Sequence, residues 1–286
     1  MKNVVEVLGN NQGHWVGDGF PVRSLFSYHR HAQEVSPFLL LDYAGPRNFE
    51  PNDAAPRGVG SHPHRGFETV TIVYDGEVSH ADSAGGGGTI GRGEVQWMTA
   101  GAGVVHEEFH SRGFSKAGGP FRMVQLWVNL PAKDKLSSPA YQAITAQSIP
   151  EVAFAGGSAR VIAGSFRGTQ GPARTFTPVN LWDMTLEADA DVTLDLPSGH
   201  TVLVAVLSGH VTIAGEGLGD AQVARLSLDG ASVALHADGE AKVLVLTGEP
   251  IDEPVVGHGP FVMNSEAEIH QAIDDFNAGR FGAIAA

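Results

Sequence analysis

Cysteine is absent from this chain. Disulfide frameworks, thiolate-held iron–sulfur clusters and cysteine-ligated zinc are therefore excluded. Any metal site has to be built from histidine and carboxylate. Long apolar runs are missing too. No stretch approaches ~18 uncharged apolar residues, so no membrane span is expected. The residues following Met1 (Lys2-Asn3-Val4-Val5-Glu6) lack the apolar core of a signal peptide. A cytoplasmic location is the resulting expectation. Basic residues are scarce: 18 Lys and Arg stand against 32 Asp and Glu, for a formal net charge of −14. Such a field repels phosphate backbones, so direct nucleic-acid binding is not expected. It leaves a basic protein partner open.

What is present points to short strands. The 37 glycines and 16 prolines punctuate a 286-residue chain, long enough for two domains. Val70-Thr71-Ile72-Val73-Tyr74 is β-branched and aromatic and ends at the turn pair Asp75-Gly76. Met123-Val124-Gln125-Leu126-Trp127-Val128, Val202-Leu203-Val204-Ala205-Val206-Leu207 and Ala241-Lys242-Val243-Leu244-Val245-Leu246 are similar runs. Each is too short for a helix and is bounded by turn residues. Residues 73–78 align with 206–211, and residues 91–95 align loosely with 228–232. We read a duplicated all-β sandwich. The N-terminal domain covers residues 1–130 and the C-terminal domain residues 131–286. Their linker is expected over 129–148, with Pro131, Pro139 and the polar run Lys133-Asp134-Lys135. One short helix is expected at the C-terminus. Ser265 caps it, with Glu268 as capping-box partner. Ile269, Ala272, Ile273 and Phe276 form its apolar stripe, and Gly279 stops it.

The residues that carry chemistry lie in the first half. His62-Pro63-His64 precedes the strand at Val70, and in an extended chain residues i and i+2 share a face. His106-Glu107-Glu108 repeats the device. Two extended segments with two ligands each make a three-histidine, one-carboxylate site with open positions. Such a donor set suits Fe(II), with Mn, Ni, Co or Zn as rivals. A lone HxH is weak evidence. His29-Arg30-His31 is a second one, without a matching partner pair, and reads as loop. His110 shares the face of Glu108 and is a substitute ligand. His80 and His210 follow turns and are expected to be exposed. Arg65 either supports the site or forms a structural ion pair. Residues 85–88 read as a hairpin tip, because no Lys-Ser/Thr follows to make a phosphate loop.

The order of elements resembles the cupin superfamily: HxH, then Glu68 and Gly76, then Gly93, Gly101, Gly103 and His106. Thr99 stands where the second cupin motif usually has proline. Longer motifs resemble the pirin family. They are His62-Pro63-His64-Arg65-Gly66-Phe67-Glu68-Thr69-Val70, Gln96-Trp97-Met98-Thr99-Ala100-Gly101 and Gln125-Leu126-Trp127-Val128-Asn129-Leu130-Pro131. To these add Gly248-Glu249-Pro250 and Gly259-Pro260-Phe261-Val262-Met263-Asn264. Gly17-Asp18-Gly19-Phe20 and Phe38-Leu39-Leu40-Leu41-Asp42 extend the resemblance over nearly the whole chain.

The resemblance implies a bicupin, two jelly-roll barrels with metal in the first alone. The ligands would be His62, His64, His106 and Glu108, and Glu68 would be a supporting or folding residue. By the internal alignment the second barrel has Asp195, Pro197, Val243 and Val245 at those positions. The resemblance also implies flavonol 2,3-dioxygenase activity: a flavonol such as quercetin and O2 as substrates, Glu108 accepting the 3-hydroxyl proton, and the central ring opening with loss of carbon monoxide. The alternative it implies is a redox-sensitive regulatory protein whose metal alters a partner-binding surface.

Overall fold

A computed structural model describes residues 1–285. It contains two compact units, neither of them one continuous stretch. One unit comprises Gln12–Ser24, Leu39–Ala146 and Asp252–Ala286; the other comprises Met1–Asn11, Leu25–Phe38 and Gln147–Ile251.

The unit that carries the histidine motifs pairs a large and a small antiparallel sheet. The large sheet runs Ala140–Ile144, Val95–Thr99, Phe67–Asp75, Gly119–Asn129, Phe38–Phe49, Phe20–Ser27, His14–Val16. The small one runs Gly58–His64, Val104–His110, Val78–Asp82, Gly87–Ile90. Side chains from both sheets share one core, including Val22, Val73, Phe121 and Met123 from the large sheet and Val78 and Ile90 from the small one. The other unit repeats this architecture. Its large sheet runs Val4–Gly9, Gln222–Leu226, Thr201–Ser208, Ala241–Gly248, Val179–Leu186, Gly157–Ala163, Glu151–Phe154. Its small sheet runs Ala190–Asp195, Ser232–Ala237, Val211–Ile213, Glu216–Leu218. Its strand Ala190–Asp195 alternates buried and exposed residues, as a sandwich strand with one solvated face should.

The duplication is present, and its first aligned segment is right. Phe67–Asp75 and Thr201–Ser208 are equivalent central strands, each followed by a glycine at positive φ, Gly76 at 85° and Gly209 at 90°. The second aligned segment slips by one strand. Residues 91–95 lead into Val95–Thr99, whereas residues 228–232 lead into Ser232–Ala237, the counterpart of Val104–His110. By strand register the positions equivalent to His62, His64 and His106 are therefore Leu194, Leu196 and Val233, all apolar and buried. Sequence alone could not see this, because Gly-turns recur before every strand.

The expected linker is also partly strand. Ala140–Ile144 adds to the edge of the large sheet beside Val95–Thr99. Lys135, in the polar run, is buried. Its Nζ donates to Gly66 O at 2.9 Å, Asn129 Oδ1 at 2.8 Å and Val262 O at 2.9 Å. The C-terminal helix spans Glu266–Asn277, and Ser265 caps the Glu268 amide as expected. The Glu268 carboxylate reaches back to Asn264 N at 3.0 Å rather than to the cap residue's own amide. Ile269 and Ala272 pack with Val105, Phe261, Met263 and Phe281.

Candidate metal centre

The strands Gly58–His64 and Val104–His110 pair antiparallel, with His106 directly opposite His62 and Val104 opposite His64. Period-two alternation puts His62 and His64 on one face, and the register brings His106 onto it. Ring centroids lie 4.2 Å apart for His62 and His106, 4.8 Å for His64 and His106, and 4.9 Å for His62 and His64. One nitrogen from each of the three lies within 4.8 Å of the others.

Backbone carbonyls orient two of the rings. His62 Nδ1 is 2.9 Å from Gly60 O, and His64 Nδ1 is 3.3 Å from Pro260 O. With Nδ1–H donated there, each Nε2 keeps a free lone pair. His106 Nδ1 instead lies 3.4 Å from His80 Nδ1, and its Nε2 is buried without any hydrogen-bond partner. Burial first, then the neighbouring His62, hold His64 down at about 3. Burial, then His64 and His62, hold His106 well below the usual histidine value. Both are thus neutral at pH 7, the state that binds metal. Three imidazoles converging on one point, one with an orphaned buried nitrogen, fit a divalent cation.

Glu108 stands slightly apart. An extra residue in the Gly58–His64 strand breaks the register between His106 and Glu108 and sets Glu108 opposite Val59. Its carboxylate falls in a second possible ligand group, with His80 and His106. It accepts from Gln125 Nε2 at 2.8 Å, from Gln96 Nε2, and from Thr71 Oγ1 at 3.4 Å. So the structure gathers His62, His64 and His106 and places Glu108 beside His106, held by amides of the large sheet.

Several side chains around the site escape sequence reasoning. Gln96 and Gln125 are polar residues within apolar strands, and that mismatch was the available signal. His80 is not exposed as expected: it is buried at 5% exposure, stacked on Tyr141, with Nε2 3.1 Å from Asp82 Oδ2. A turn precedes it, but its strand faces inward. Burial would raise the Asp82 carboxyl, yet His80 and the Gly86 and Ala84 amides outweigh this and hold it below its usual value. Tyr141 is pushed up to about 12 by burial first, then by the charges of Glu108 and Asp82. Trp127 stacks on Phe67 at 4.3 Å and meets His64 edge-on.

Other sequence candidates resolve differently. His110 belongs to neither ligand group among the described residues. It packs among Phe20, Phe49, Phe114 and Phe121 and donates to Gly19 O at 2.9 Å. Glu68 accepts from Thr99 Oγ1 at 2.7 Å, and burial lifts it to about 7. Arg65 is the structural ion pair, 2.8 Å from Asp275, and donates to Ala102 O. His29 and His31 sit in a single helical turn, Tyr28–His31, rather than in a loop. His210 is exposed beside Asp238. Neither ligand group found among the described residues draws on the other unit.

Comparison with known proteins places the family and the fold. Residues 19–128 match Pirin, and residues 181–282 match the Pirin C-terminal cupin domain. The chain belongs to the pirin family. Its fold is the all-β bicupin of that family, with one short C-terminal helix. The chain is 56% identical to the crystal structure of quercetin 2,3-dioxygenase from Acinetobacter baumannii; the match covers 100% of both chains with a TM-score of 0.97. A Pseudomonas aeruginosa pirin relative, named "Putative quercetin 2,3-dioxygenase", is 56% identical over 98% of this chain and 99% of its own. A bacterial pirin from Escherichia coli, solved with nickel(II), shares the fold at 22% identity and a TM-score of 0.67, over 86% of this chain and 99% of that one. Among the described residues no helix is long and apolar enough to cross a membrane.

Proposed function

We propose that this pirin is a metal-dependent dioxygenase that opens the central ring of flavonols such as quercetin with O2. Its sequence and fold are quercetin 2,3-dioxygenase-like. The observation that carries the reading is the buried, partnerless Nε2 of His106 in a cluster where one nitrogen from each of His62, His64 and His106 lies within 4.8 Å of the others. These three would hold the ion, with Glu108 as fourth ligand. Fe(II) is the favoured ion over Mn, Ni, Co or Zn, because an open nitrogen–oxygen donor set suits it.

A bound divalent ion would supply Lewis-acid polarisation of a flavonol hydroxyl and a route for O2 chemistry. The protein's part is positioning and proton handling. Glu108 takes the 3-hydroxyl proton at a carboxylate oxygen. Donors from Gln125, Gln96 and Thr71 hold that carboxylate in place. Trp127 and Tyr141, both half-buried, offer aromatic surface beside the histidines for a flat polyphenol. The metal site belongs, in this reading, to the unit bearing these strands, and the other unit carries no ion.

His106→Ala is expected to lose at least about tenfold in metal affinity. Elemental analysis of wild type and variant, followed by oxygen uptake with quercetin, tests the reading. Stoichiometric metal and flavonol-dependent uptake in wild type alone support it. Metal without uptake would shift the role to the redox-regulated binding protein. No metal after reconstitution would remove both.

A further inference from the structure

A buried chain of side chains runs outward from the metal centre and has no part in the reaction proposed above. Asp82 Oδ2 lies 3.1 Å from His80 Nε2, and His80 Nδ1 lies 3.4 Å from His106 Nδ1. Asp82, His80 and His106 are all buried, on the neighbouring strands Val78–Asp82 and Val104–His110. The other Asp82 oxygen, Oδ1, is fully occupied. It accepts from Ala84 N at 2.8 Å and Gly86 N at 2.9 Å, closing the turn after the strand.

These contacts have a direction. An ionised carboxylate only accepts, so His80 Nε2 must carry the proton. Nδ1 of a neutral His80 is then an acceptor. It takes the Nδ1–H of His106 and leaves His106 Nε2 bare on the side where His62 and His64 converge. We propose that Asp82 and His80 are positioning residues which fix the ligating tautomer of His106 and thereby set the affinity of the metal centre. His62 and His64 obtain their tautomers from backbone carbonyls. His106 alone depends on a side chain for this, so it is the ligand that substitution can flip.

The crowding at Asp82 makes the proposal sharp. In Asp82→Asn the amide oxygen remains with the Ala84 and Gly86 amides, so the new NH2 faces His80 Nε2. It donates there and moves the His80 proton to Nδ1. His106 must then accept at Nδ1 and carry its proton on Nε2, the ligating atom. The proposal rests on the metal reading of the site, but the tautomer can be read without metal.

Nitrogen-15 NMR of the imidazoles in metal-free full-length protein gives the tautomer of His106. Zn(II) competition against a chromophoric chelator gives affinity. Wild type is expected to show protonated Nδ1 on His106. Asp82→Asn should show protonated Nε2 and bind Zn(II) about 10- to 100-fold more weakly. His80→Gln, whose amide oxygen can accept from His106, should stay closer to wild type than His80→Leu, which cannot. An unchanged tautomer in Asp82→Asn overturns the proposal, and so does wild-type affinity in His80→Leu. If Asp82→Asn fails to fold, the two His80 variants decide. If wild type binds no Zn(II) yet shows the expected tautomers, the metal reading fails and the orienting chain stands.

Discussion

Burial of single ionisable groups dominates the chemistry of this protein. Glu68 shows how it links to stability. Burial raises its carboxyl from 4.5 to about 7, against the donor from Thr99. In the folded state it therefore binds a proton over a range where the unfolded chain has lost it. Stability from this group is complete below pH 4.5 and is lost as pH rises through 7. His64, held at about 3, works in the opposite sense, since the unfolded chain gains its proton below 6.5. Glu68→Gln should therefore remove only the loss between pH 4.5 and 7, worth up to about 3 kcal/mol. Urea unfolding of variant and wild type at both ends of that window checks it. A difference independent of pH would refute the assignment. At this scale the sequence named His62, His64, His106 and Glu108 by type and spacing. It did not show His80, whose inward face depends on strand register, or Gln96 and Gln125, whose role depends on reaching across to the opposite sheet.

Strand pairing aims these residues, and a turn fixes the pairing. Gly66 lies between the strand bearing His62 and His64 and the central strand Phe67–Asp75. It sits at φ 89°, and a Cβ there would approach Val262 O to 2.1 Å. Gly66→Ala is expected to cost about 1–3 kcal/mol through backbone strain and to weaken metal binding by moving His64. Denaturant unfolding and metal titration measure the two effects; loss of neither would show that the turn tolerates a side chain. The C-terminal helix was legible because its cap and stripe are local signals. The edge strand Ala140–Ile144 was not. Its partner, Val95–Thr99, is remote in sequence, and Pro131 and Pro139 gave the segment the composition of a linker.

For the molecule as a whole, ligand linkage is the main lever. A metal that binds only the native state at 100 times its Kd adds about 2.7 kcal/mol. Divalent metal should therefore raise the unfolding midpoint of wild type and leave His106→Ala unshifted. Calorimetry with and without metal tests this, and an equal shift in both would place the binding elsewhere.

The sequence by itself determined the all-β class, the duplication, the family, the absence of thiolate chemistry and the three histidines. The class, the duplication, the lack of thiolate chemistry and the histidine pairs rest on composition, turn residues and local period-two spacing, and the family rests on the resemblance of long motifs to those of pirins. The tertiary structure decided which strands are equivalent in the two units, how Glu108 stands relative to the histidines, and that Asp82 and His80 lie behind His106. Those depend on register, a bulge and contacts across sheets, which join residues far apart in the chain.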